Sequence, residues 1–66
     1  MQVKYFQDTD TLLINFNNNK IYETKDINEN ILVELDGNGN VVSMTLEHAK
    51  SFAEINDFSY QQLATA

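Results

Sequence analysis

Asn30–Glu47, NILVELDGNGNVVSMTLE, decides the fold. Ile31, Val33 and Leu35 alternate with Leu32, Glu34 and Asp36; beyond Gly37-Asn38-Gly39-Asn40, Val42, Met44 and Leu46 alternate with Ser43, Thr45 and Glu47. Successive side chains of a strand point to opposite faces, so both runs read as strands with one apolar face each. Glycine and asparagine accept the left-handed backbone that a tight turn demands, and the stretch between the runs therefore closes them into a hairpin.

Upstream, the same period predicts more antiparallel sheet. Gln2–Phe6 is a first strand, with Val3 and Tyr5 on one face and Lys4 and Phe6 on the other. Gln7-Asp8-Thr9-Asp10 is a polar turn, in which either aspartate can bond a backbone N–H two residues on. Leu12, Ile14 and Phe16 give the second strand an apolar face; Leu13 interrupts the alternation and places this strand inside the sheet or under a cover. Asn17-Asn18-Asn19 reads as a hairpin turn into a third strand, Ile21–Asp26, whose pattern is too mixed to assign a core face. A turn around Asn28-Glu29 leads back to Ile31.

Downstream of His48 the period changes. Ala49, Phe52, Ala53 and Asn56 recur at helical spacing beside Ile55, predicting a helix of about two turns that sets Phe52 against the sheet. A second short helix is expected over Phe58–Ala64, capped by Asn56 or Asp57. Isolated helices below ~12–15 residues are marginal in water, so both depend on packing. The expected fold class is α+β: a small antiparallel β-meander of four to five strands with one or two short C-terminal helices packed on one face. It forms a single domain over 1–66, with sheet at about 2–47 and a helical segment at about 49–64.

A domain of 66 residues buries only roughly 60% of the surface its extended chain exposes, and apolar burial barely offsets the entropy of ordering it. Without cysteine there is no disulfide, and one histidine is too few for a usual zinc shell. No metal or other cofactor is expected, and self-association, as a homodimer or higher homo-oligomer, is the remaining source of buried surface. No stretch resembles a basic, apolar leader or reaches the ~18 apolar residues of a membrane helix, giving the expectation of a cytoplasmic protein without membrane contact. Ten acids against four lysines leave a formal charge of -6. That charge repels nucleic acid and attracts a basic protein, or serves solubility alone.

Several residues invite a chemical reading. Asp36, Asn38, Asn40 and Glu47 fall at calcium-loop positions one, three, five and twelve, but Val41 stands where the loop needs glycine and the flanks are strands, so a turn is expected instead. His48 has Thr45 and Ser51 nearby without a nucleophile motif, which favours a junction residue over a general base. Asp8, Asp10, Glu23, Asp26, Glu34 and Asp36 supply carboxylates for a divalent metal, a basic protein or solvent. Four phenylalanines and three tyrosines are numerous for so thin a core, and aromatics anchor interfaces as well as cores.

Lys4-Tyr5, Asp8-x-Asp10-x-Leu12-x-Ile14, Glu23-Thr24, Ile31-x-Val33-x-Leu35-Asp36, Gly39-x-Val41-Val42 and Leu46-Glu47-x-Ala49 together resemble a family of small prokaryotic proteins, domain of unknown function 2283. The likeness spans roughly Val3 to Phe52 and implies an antiparallel meander with a C-terminal helix. Leu13 stands where members often have an aromatic, Asn15 where they have an acid, and Ser43 and Met44 where they have glycine and isoleucine. The resemblance carries no catalytic residues. Family genes often neighbour small genes resembling ribonuclease-type toxins, which implies an antitoxin-like role by association.

The resulting expectation is a non-catalytic protein-binding module, antitoxin-like toward a small basic ribonuclease-type toxin. The contacts are expected from Glu23, Asp26, Glu34, Asp36 and Glu47, with Phe52, Phe58 and Tyr60 as aromatic anchors. A self-associating structural protein is one alternative; a small hydrolase or metal-binding protein with its site at a subunit interface is the other.

Overall fold

The hairpin read from Asn30–Glu47 lies in the middle of a five-stranded sheet. A computed structural model describes residues 1–64; Thr65 and Ala66, the end of the domain expected over 1–66, lie outside the described residues. The strands are β1 (Gln2–Phe6), β2 (Thr11–Asn15), β3 (Glu23–Asp26), β4 (Ile31–Leu35) and β5 (Val41–Glu47). Their spatial order is β1-β2-β5-β4-β3, every neighbouring pair antiparallel. Five antiparallel strands are thus present, and β2, as Leu13 suggested, is an interior strand.

One step of the meander is not a hairpin. Asn17-Asn18-Asn19 does not fold β3 back on β2; β5 and β4 stand between them. The segment 16–22 instead crosses three strand spacings, about 14 Å at the usual ~4.8 Å, within the reach of seven extended residues. Asparagine amides hold it there: Asn17 Nδ2 donates to the Val41 carbonyl at 3.1 Å and Asn19 Nδ2 to Asp36 Oδ2 at 2.9 Å. Pairing β2 with β5 sets Leu12 opposite Leu46 and Ile14 opposite Met44, which joins apolar residues that a β2–β3 hairpin would have left beside polar Glu23–Asp26.

Register assigns the two faces. Val3, Ile14, Met44 and Val33 lie in one cross-strand row, and Tyr5, Leu12, Leu46 and Ile31 in the next but one, forming an apolar face. The opposite, mainly polar face carries Gln2, Asn15, Ser43, Glu34 and Thr24 in one row and Lys4, Leu13, Thr45, Leu32 and Asp26 in another. Among the described residues, the buried hydrophobics are Val33, Val42 and Ala49. Val42 is the extra residue of a bulge at Glu34/Leu35, which sets Val41 rather than Val42 opposite Leu35.

The helical cover is corrected. The described residues contain no α-helix, only a 3-10 turn at Ala49–Ser51, so the α+β assignment with one or two packed C-terminal helices does not hold. His48, at the start of that turn, sits in the left-handed region at φ 56 and provides no side-chain cap, and no acid occupies the first turn. Neither Phe52 nor Phe58–Ala64 gains the packing that helices this short require: Phe52 is 60% exposed and points away from the core it was expected to fill. Ala53 and Ile55 are half-buried instead, and with Phe58 they face Val3, Tyr5, Leu12 and Ile14 across a groove of about 630 Å³.

The β4–β5 loop is a turn, as expected. Gly39 N–H bonds the Asp36 carbonyl at 3.1 Å, Asp36 N–H bonds the Asn40 carbonyl at 2.9 Å, and Gly39 takes φ 83. A Cβ at either glycine would meet nothing within 4 Å, so backbone conformation alone separates them. Gly39→Ala should therefore destabilise the domain by about 1–2 kcal/mol, while Gly37→Ala should be neutral or stabilising by up to ~1 kcal/mol, read from urea denaturation midpoints.

Candidate interaction surface

Asp10 fixes the C-terminal segment. It closes the β1–β2 turn in the left-handed region at φ 54, which aspartate tolerates better than most residues. Its carboxylate does not bond two residues on, as the turn reading expected, but reaches a segment distant in sequence: Lys50 N–H donates to Oδ1 at 3.1 Å, and the Asp10 carbonyl accepts Ala49 N–H at 3.0 Å. The Tyr5 hydroxyl donates to the same Oδ1 at 2.6 Å. This bond is the first cause that pushes the phenol up to about 12, followed by burial and the carboxylate charge. Reciprocally, the Tyr5 hydroxyl and the Lys50 N–H hold the Asp10 carboxyl below the usual range, against a smaller opposing effect of burial.

With the chain turned at Asp10, Phe52 projects at the end of the sheet where β3 meets β4. A groove of about 390 Å³ there is lined by Glu29, Asn30, His48, Ser51 and Phe52. A neighbouring one of about 260 Å³ shares Glu29 and Asn30 and is bounded by Asp26, Leu32, Thr45 and Glu47. Asn28 builds this corner, its Oδ1 accepting Asn30 N–H at 2.8 Å and Ile31 N–H at 3.0 Å. His48 Nδ1 lies 3.0 Å from Asn30 Oδ1 and ties β5 to the corner. The result is an aromatic 60% exposed that shares one groove with Glu29, next to the groove bounded by Asp26 and Glu47.

Of the residues expected to contact a partner, this end gathers Asp26, Glu47 and Phe52. Glu34 lies on the same polar face but lower in the sheet, its Oε1 accepting the Ser43 hydroxyl at 2.6 Å. Glu23 lies toward the apolar face, one row from Lys25, at the opposite end of β3. Asp36 is 8% exposed and turned into its own loop. Phe58 and Tyr60 sit at the β1 edge, lining a separate groove with Met1 and Val3. Glu29 was missed, since in sequence it is a turn residue without a pattern; only the fold sets it beside Phe52.

Among the described residues no group of three histidine, cysteine or acidic side chains is placed to hold a metal ion. No helix among them is long and apolar enough to cross a membrane. The Asp36 carboxylate that would open a calcium loop is spent on Asn38, Asn40 and Asn19, and the Asn40 N–H is the leading cause that lowers its pKa.

Fold and surface define a small all-antiparallel sheet domain with a thin core and aromatic residues displaced to its rims. A family model described as "Protein of unknown function (DUF2283)" matches residues 2–50, which includes every strand and the Asp10-bound turn. The chain belongs to this family. No curated protein and no solved structure matches it.

Proposed function

We propose that this chain is a non-catalytic protein-binding module that meets a basic partner at the end of the sheet that carries Phe52, Asp26, Glu29 and Glu47. The observation that carries the reading is Phe52: a large aromatic 60% exposed, following a backbone turn that Asp10 clamps, in one groove with Glu29 and next to the groove of Asp26 and Glu47. An aromatic anchor gives affinity, and surrounding acids on a chain of charge -6 steer a basic protein toward it. A cytoplasmic, antitoxin-like role follows: the acids and Phe52 cover the basic face with which a small ribonuclease-type toxin would bind RNA. The genes often found beside those of the family support that choice of partner.

Co-purification with the product of the neighbouring gene, followed by titration calorimetry, tests it. Phe52→Ala should weaken binding about 30-fold, the ~2 kcal/mol of a central anchor. Asp26→Lys with Glu47→Lys should weaken it at least ~10-fold at low salt and flatten its salt dependence. Unchanged affinity in both variants would refute this surface.

The self-associating reading has its own support in the core, where three hydrophobic side chains among the described residues are buried. A second copy is the simplest source of the missing burial.

A further inference from the structure

The two edges of the sheet differ. The β3 edge, Glu23–Asp26, has four residues, three of them charged, and all exposed; short charged edges resist pairing. The β1 edge, Gln2–Phe6, carries no proline, no acid and one charge, Lys4. Of the two sheet edges, β1 is therefore the one that presents no carboxylate of its own, whereas β3 presents Glu23 and Asp26. Beside the edge, Met1, Val3, Phe58 and Tyr60 line a groove of about 500 Å³ without a carboxylate, with Met1, Phe58 and Tyr60 69–75% exposed.

We propose that β1 is a homodimerisation strand: β1 of a second copy adds antiparallel to it, making one ten-stranded sheet about a two-fold axis. The charge distribution selects this occupant. Two copies of charge -6 repel overall, and of the two edges β1 is the one at which they meet without opposing carboxylates. A two-fold axis normal to the sheet requires paired residue numbers to sum to an even number, because opposite residues share a face. Pairing Lys4 with the partner's Lys4 sets two ammonium groups opposite and is disfavoured. The next register centres on Val3 against the partner's Val3, with Met1 opposite the partner's Tyr5 and Gln2 opposite the partner's Lys4. Met1, Val3 and Tyr5 of both copies then continue the apolar face, and the Phe58–Tyr60 groove receives the partner's alternate side chains. The free edges that remain are the charged β3 strands, so assembly closes at two chains.

Light scattering on the eluted full-length chain should give the mass of two chains. Val3→Lys and Val3→Glu, each of which places like charges on the axis, should each give one chain with the wild-type circular dichroism spectrum, and an equimolar mixture should recover two. Thr24→Lys, on the β3 edge, should remain dimeric. A single cysteine in place of Val3 adds a readout that does not need monomers to fold: in this cysteine-free chain Val3→Cys should cross-link to a covalent dimer under mild oxidant, and Thr24→Cys should not. A wild-type monomer throughout the micromolar range would overturn the proposal. So would a dimer that survives Val3→Lys or cross-links equally at both positions.

Discussion

Asp36→Ala should lower the midpoint of thermal unfolding by about 10 °C or more, the largest single loss expected in this domain. The carboxylate gathers two parts of the chain. Oδ1 accepts Asn38 N–H and Asn40 N–H at 2.9 Å each, shaping the β4–β5 turn. Oδ2 accepts Asn40 Nδ2 at 3.2 Å and Asn19 Nδ2 at 2.9 Å, and the latter bond pins the crossing from β2 to β3. Alanine leaves these donors without an acceptor at a site only 8% exposed, where each lost partner is costly. Asparagine should recover part of the loss: its oxygen replaces Oδ1, but its amide would face the amides of Asn19 and Asn40, donor against donor. The effect depends on pH. With its pKa lowered by the Asn40 and Asn38 N–H groups and the two side-chain amides, Asp36 contributes stability that is present above its unfolded value near 4 and lost as pH falls through its folded one. Thermal melts of wild type and Asp36→Ala should therefore converge on acidification from pH 7 toward pH 2. A constant gap would mean that the turn depends on packing and not on the charge.

The strands were legible because burial on one face imposes a period, and Ile31–Leu35 and Val41–Glu47 obey it. Their order was not. Nothing local distinguishes a hairpin at Asn17-Asn18-Asn19 from a crossing, since asparagine suits both; the decision falls to Leu12 and Ile14 finding Leu46 and Met44. The C-terminal segment misled for a related reason. Ala49, Phe52 and Ala53 have helical spacing, but spacing specifies a helix only where a face is available to bury it. The groove over β1 and β2 takes Ala53, Ile55 and Phe58 in irregular chain, while Asp10 turns the backbone so that Phe52 faces outward. Of the surface around Phe52, the sequence offered the acids and the aromatic separately. Their meeting rests on Asp10 and Asn28, whose long- and short-range bonds are invisible to periodicity.

Asp10→Ala should release residues 49–64 from a sheet that otherwise stays folded. The substitution removes the acceptor of Lys50 N–H and of the Tyr5 hydroxyl and places alanine at φ 54, so the turn loses side-chain bonds and gains strain. Limited proteolysis should then cut after Lys50 at least ~10 times faster than in wild type, with the sheet's circular dichroism retained. Tyr5 provides a spectroscopic check. Its phenol, held up at about 12 by the Asp10 carboxylate, should ionise well above the ordinary 10.0 in ultraviolet titration, and Asp10→Asn should return it toward that value. The signs bound the window of the clamp. Raised in the folded state, Tyr5 contributes stability that is complete below about 10 and lost as pH rises to about 12; lowered in the folded state, Asp10 contributes stability lost as pH falls below about 4. Between those limits the bond is intact, and Phe52 stays presented beside Asp26 and Glu47. If Asp10→Ala left residues 49–64 resistant to protease, the half-buried Ala53 and Ile55, rather than the carboxylate, would be what holds the segment on the sheet.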